Sequence, residues 1–224
     1  MTRNILLLLV SCLIGVATYA QERQQIVVPD FDDKYSRYIK DLEAGNMDID
    51  YQDFRFSLIE SQQYAVIVQK MDLFSRLSKR LYKEIEEEKY TATMQTAKEM
   101  LSIDYTSMIA HKILRQTYQI LGDTTNAIKY RTIQFGLLKS IVVYGNGESC
   151  ATAWPVVQVA EEYFILNMLK ANLLKQRLGF EEGVCDVMET QLEDGTLKTY
   201  YFDVSKVFEG YEKLKEFKKN KPGL

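Results

Sequence analysis

The chain has 224 residues, 46% of them hydrophobic and 26% charged, with a formal net charge of −3. These totals describe an ordinary globular protein of a length that one domain can fill. The mildly acidic balance offers no general attraction to nucleic acid or anionic lipid, which argues against both as partners.

The first segment reads as an export signal: Arg3 supplies the positive end, Ile5 to Val16 an apolar run, and Thr18-Tyr19-Ala20 small residues at the cleavage positions. Cleavage after Ala20 would start the mature chain at Gln21 and leave 27 basic against 31 acidic residues, a net charge of −4. The apolar run is about a dozen residues, short of the about 20 that span a bilayer, and no later stretch is long enough. The expectation is an exported soluble chain, in the periplasm or at the cell surface. Leu9-Val10-Ser11-Cys12 also has the form of a lipoprotein processing site that would leave Cys12 lipid-anchored. Residues 13–20 stay apolar where a lipoprotein turns polar, so cleavage after Ala20 fits better.

Apolar residues then recur at helical spacing from Asp32 to about Ile141. Tyr35, Tyr38, Ile39 and Leu42 predict a short helix stopped by Gly45-Asn46. Tyr51, Phe54 and Leu58 predict a second. Phe74, Leu77, Leu81 and Ile85 mark a third, ending in Glu86-Glu87-Glu88-Lys89, and Met94, Ala97 and Leu101 mark a fourth. Ala110, Leu114, Tyr118 and Leu121 line one further helix, Gly122-Asp123 breaks it, and Ala127, Tyr130, Leu137, Leu138 and Ile141 line the next.

This last pair resembles a tetratricopeptide repeat, with Leu114, Tyr118, Gly122, Asp123 and Ala127 in register, although His111, Arg115 and Arg131 replace that family's Trp, Gly and Phe. One period upstream, Tyr90, Ala97, Leu101, Ile103 and Asp104 fit while Glu88 and Thr93 depart. Such repeats need about three copies to bury a continuous core, so another element must cap the stack.

The cap is expected in residues 144–224. Gly145-Asn146-Gly147-Glu148-Ser149 is a loop by composition, and Val156 to Leu169 is apolar and β-branched, readable as strand or helix. Val184 to Leu192 and Leu197 to Val204 flank Glu193-Asp194-Gly195-Thr196, a strong hairpin signal. Val207, Phe208, Tyr211, Leu214 and Phe217 predict a closing helix over 205–219. The fold class expected is α+β: helical hairpins over 21–143, then a small antiparallel sheet and a C-terminal helix, in one domain.

The chain also resembles DUF4919, an exported Bacteroidetes family of unknown function. The likeness rests on Gly122-Asp123, Gly145-Asn146-Gly147, Thr152-Ala153 leading into Val156-Val157, Glu161-Glu162-Tyr163, Gln176, Asp186 and Tyr201-Phe202-Asp203. Where relatives tend to have Ser-Gly-Asp-Gly, this chain has Tyr144-Gly145-Asn146-Gly147. The resemblance implies architecture only: a tetratricopeptide-like helical part and a C-terminal antiparallel sheet.

Catalytic templates fail one by one. His111 is the sole histidine and falls at a packing position in mid-helix, so a His-Glu-x-x-His site is impossible and a structural role is expected. Gly147-Glu148-Ser149-Cys150-Ala151 is one residue from a nucleophile elbow, but no histidine follows it in the chain. Cys150 and Cys185 allow either one disulfide across a separation of 35 or two buried thiols. The thiols are expected, because a domain of this size is stable without a bridge. With His111 they lack metal-ligand spacing, so neither metal nor cofactor is expected.

Paired carboxylates suffice for glycosidic chemistry, and Glu161, Glu162, Asp186 and Asp203 supply candidates. The function expected is nevertheless non-enzymatic: a scaffolding or binding domain of the cell envelope with a protein or peptide partner. The alternative is a carboxylate-dependent hydrolase of carbohydrate or peptidoglycan. The candidate binding loop is Gly145, Asn146, Gly147, Glu148 and Ser149, whose backbone N–H groups suit an anion.

Overall fold

The computed structural model describes residues 25–220, so residues 1–20, read as an export signal, the expected cleavage before Gln21 and Cys12 lie outside the described residues. The described residues open with α1 (Lys34–Glu43), capped by the Asp33 carboxylate, which accepts from the Ser36 amide at 2.8 Å. Of its predicted stripe, Tyr35, Ile39 and Leu42 are fully buried and Tyr38 is half-buried. Asp50 caps α2 (Tyr51–Ser57), which tightens into a 3-10 turn at Leu58–Glu60, and Ser61 caps α3 (Gln62–Gln69).

Four longer helices follow: α4 (Met71–Glu86), α5 (Tyr90–Ile103), α6 (Met108–Ile120) and α7 (Thr124–Val142), each packed on the next. Ala97, Leu101, Ala110, Leu114, Ala127 and Ile141 fill the seams between them. Tyr118 and Tyr130 stack with ring centroids 5.6 Å apart. Helix α2 lies back against α7.

After a second 3-10 turn (Cys150–Thr152) come β1 (Trp154–Pro155), α8 (Val159–Met168), β2 (Ala171–Gly179), β3 (Cys185–Leu192), β4 (Leu197–Asp203) and α9 (Ser205–Asn220). The open choice for the apolar 156–169 segment thus resolves to helix over Val159–Met168. The sheet order is β1-β4-β3-β2. The three longer strands are antiparallel, and β1 adds a two-residue parallel pairing with β4, Trp154 opposite Phe202. The architecture is therefore α+β.

The hairpin turns where Asp194-Gly195 predicts it. Gly195 holds φ +84°, and its amide donates to the Leu192 carbonyl at 2.9 Å. One sheet face sends Met188, Tyr200 and Phe202 into the core, with the Trp154 ring 5.6–5.8 Å from the last two. The other face carries Cys185 and Val187 against Ala153.

Here the expectation of two free thiols is overturned. Cys150 and Cys185 form a disulfide with Cα atoms 5.6 Å apart. The loop before β1 folds back over the sheet's outer face and sets the 3-10 turn against β4, with Cys150 beside Cys185 at the start of β3, a proximity that spacing along the chain does not reveal. Helix α9 returns across the molecule to the 3-10 turn after α2 and to α3, burying Val207 and Leu214.

Candidate functional site

Helix α8 is the joint between the helical part and the sheet, and its first turn carries two buried carboxyls. Glu161 takes a two-pronged ion pair from Arg55 on α2, with Nε to Oε1 and Nη2 to Oε2 both 2.7 Å. Arg55 is 0% exposed and Glu161 4%. The guanidinium also donates to the carbonyls of Pro155 at 2.9 Å and Ser140 at 3.3 Å, while the Val157 amide donates to Glu161 Oε2 at 2.8 Å. One arginine thus ties α2, α7, β1 and α8 together, which satisfies the donors that burial would otherwise orphan. Nothing in the sequence singled out Arg55, flanked by Phe54 and Phe56 in a short helix.

Glu162 turns the other way, toward Asp186 on β3. It is fully buried, no N–H or O–H group donates to either carboxylate oxygen, and its pKa is pushed up to about 9 by burial first, then by the charges of Asp186 and Glu161 and a hydrogen bond to Asp186. With a proton on Glu162 the two acids form a donor and acceptor pair; without it they repel. The other side of Asp186 is held by Gln176, whose Nε2 donates to Oδ2 at 2.7 Å, and Gln176 in turn accepts from the Tyr163 hydroxyl at 3.2 Å. Glu162, Tyr163, Gln176 and Asp186, read separately in the sequence, are one cluster in space. Asp203 stands apart: its Oδ1 accepts from the Ser205 amide at 2.9 Å at the start of α9.

Beside the Arg55 joint lies a cleft of about 280 Å³ between α3, α4, α6, α8 and α9. Its walls are apolar, with Ile67, Val68, Phe74, Ile109, Phe164 and Tyr211 prominent. Met71 and Tyr211 at the rim are 60% and 47% exposed. The floor is polar. Asp104 Oδ1 accepts from the Thr106 amide at 2.9 Å and hydroxyl at 2.6 Å, and Gln158 Nε2 reaches Asp104 Oδ2 at 3.2 Å and the Thr106 hydroxyl at 2.9 Å. Burial pushes the Asp104 carboxyl above its usual range, opposed by those hydrogen bonds. This arrangement suits an apolar body with one polar contact at its base. Neither Glu162 nor Asp186 lines the cleft.

His111 is fully buried, with Nε2 2.7 Å from the Tyr105 carbonyl, and burial lowers its pKa to about 4. It is a neutral packing residue between Tyr105 and Tyr130. No group of three or more metal-ligating side chains occurs among the described residues.

The loop from Gly145 to Ser149 folds over the Trp154 ring. The Asn146 and Gly147 amides donate to the Thr152 carbonyl at 3.1 and 2.9 Å, the Glu148 amide donates to Asn146 Oδ1 at 3.0 Å, and Ser149 pairs with the Thr152 hydroxyl. Trp154 Nε1 donates to the Gly145 carbonyl at 3.0 Å. Gly147 holds φ +67°, and a Cβ there would meet the Trp154 ring at 2.8 Å. Three amides suited to an anion are thus engaged within the loop.

The fold and the site define a class: an α+β domain whose helical hairpins and mixed sheet are joined at one buried arginine, with an apolar cleft under the closing helix. Within that class the chain belongs to the family described as Domain of unknown function (DUF4919), which matches residues 30–213. No curated protein and no solved structure matches it.

Proposed function

We propose that this chain is an exported, non-enzymatic binding domain of the cell envelope that takes an apolar segment of a protein or peptide into the cleft between α3, α4, α6, α8 and α9. The observation that carries the reading is the cleft itself, an apolar trough with an exposed rim and a polar floor. Concave clefts of this kind are the usual seat of ligands. The packing of α4 to α7 supports a tetratricopeptide-like reading, with small Ala127 at a helix contact and Tyr118 stacked on Tyr130; stacked helical pairs commonly present such surfaces. Export is supported by the signal-like residues 1–20 and by a disulfide, which persists in oxidising compartments. The hydrolase alternative needs two acids open to substrate; the two that line the cleft, Asp104 and Glu161, are buried and held by Thr106, Gln158 and Arg55, and the Glu162 and Asp186 pair is buried outside it.

The test is to pan a random peptide library against the purified chain. Enriched sequences should carry a bulky apolar residue and lose binding to Met71→Glu, a rim substitution that leaves far-UV circular dichroism unchanged. Failure to enrich any sequence, or equal binding to the variant, removes the reading.

A further inference from the structure

Strand β2 is the outermost of the sheet: it pairs with β3 on one side, and no other described element pairs with its outer edge. Its nine residues leave about 30 Å of backbone whose outward N–H and C=O groups are free to pair. The side chains differ by face. Gln176 reaches Tyr163 on α8, so by alternation Lys175 and Arg177 point to the opposite face. Both are exposed, and no ion pair joins either to another described residue. Glu189 stands across from Lys175 in the register, and apolar Val187 across from Arg177. On the α8 face, Leu178 and Tyr163 are 44% and 47% exposed. The rim is cationic on one face and apolar on the other, around an open backbone edge.

We propose that the outer edge of β2 receives an extended peptide segment as a fifth strand, with acidic side chains over Lys175 and Arg177 and apolar ones against Leu178 and Tyr163. Backbone pairing would supply affinity and the alternating faces specificity, as in strand addition generally. A second copy of this chain is a poor occupant. A two-fold antiparallel pairing centred on the strand sets Lys175 and Arg177 against themselves or each other, and like charges directly opposite are destabilising. No residue of β2 lines the cleft, so this surface and the one proposed above stand or fall separately.

The probe is a fluorescein-labelled peptide, Gly-Glu-Val-Glu-Val-Glu-Val-Gly, with a counterpart in which lysine replaces each glutamate, both titrated by anisotropy into the full chain. The acidic probe should bind the wild type, weaken with salt, and lose about tenfold or more in affinity against Lys175→Glu/Arg177→Glu. The lysine probe should prefer that variant, a charge swap that loss of folding cannot mimic. Hydrogen exchange should show the acidic probe protecting residues 172–178. The proposal is overturned if the acidic probe does not bind, if the two probes bind the wild type equally, or if protection falls outside β2. It is also overturned if sedimentation shows a dimer in which β2 is protected without probe, which would assign the edge to a second copy.

Discussion

Glu161 and Glu162 are neighbours in the first turn of α8, both shut away from solvent, and the fold treats them in opposite ways. On the helical side Glu161 meets a guanidinium in a matched two-pronged pair, and every strong donor around it has an acceptor. On the sheet side Glu162 meets only another acid, and the cost of burial is met by keeping a proton. Buried charge thus has two solutions within one helical turn. A fixed ion pair answers one buried charge with another, whereas a retained proton makes a contact whose strength depends on pH.

The largest effect is expected from breaking the first solution. Arg55→Met should cost about 3–5 kcal/mol in urea unfolding, because it leaves Glu161 buried without its partner. Adding Glu161→Gln should recover much of that loss. A cost below about 1 kcal/mol would mean that the joint is redundant.

Next is the staple on the far face of the same sheet. Replacing Cys150 and Cys185 by serine should cost about 3 kcal/mol by releasing a closed loop in the unfolded chain. Chemical reduction of the wild type should reproduce it.

The second solution is tested by improving it. Between pH 4.5 and about 9 the Glu162 side chain is protonated when folded and ionised when unfolded, so unfolding releases a proton and stability falls as pH rises through that window. Glu162→Gln removes the titration while keeping the shape, and its amide can donate to Asp186. It should flatten that slope and raise stability at pH 7 by on the order of 2 kcal/mol. An unchanged pH dependence would mean that Glu162 is not the group held neutral. As an uncharged reference on the sheet side, Gly195→Ala should cost only about 1 kcal/mol from the positive φ, with no pH dependence.

Much of the fold was legible. Of the predicted stripes, Tyr35, Ile39 and Leu42, and Ala110, Leu114 and Tyr118, are buried, while Tyr38 is half-buried and Leu121 is exposed, and Asp194-Gly195 turns the hairpin. Besides the two-residue β1, two elements escaped. In α3 the run Val66-Ile67-Val68 has no helical stripe, and the residues it buries are Gln63 and Tyr64. Most of β2 is exposed, so it lacks the alternation that marks a strand with one covered face. The candidate acids Glu162 and Asp186 were visible as residues but not as a pair, since acids are common and only packing selects which two meet. The loop from Gly145 to Ser149 was legible as a loop, while its use of Thr152 and Trp154 was not.

The sequence by itself determined most of the helical stripes, where the hairpin turns, and which family the chain joins, because periodicity and turn chemistry act within a few residues. The tertiary structure decided the rest: the Arg55–Glu161 joint across 106 residues, the burial of Glu162 beside Asp186, the disulfide, the cleft and the open edge of β2. Each of these depends on distance and burial between segments far apart in the chain, quantities that local pattern does not carry.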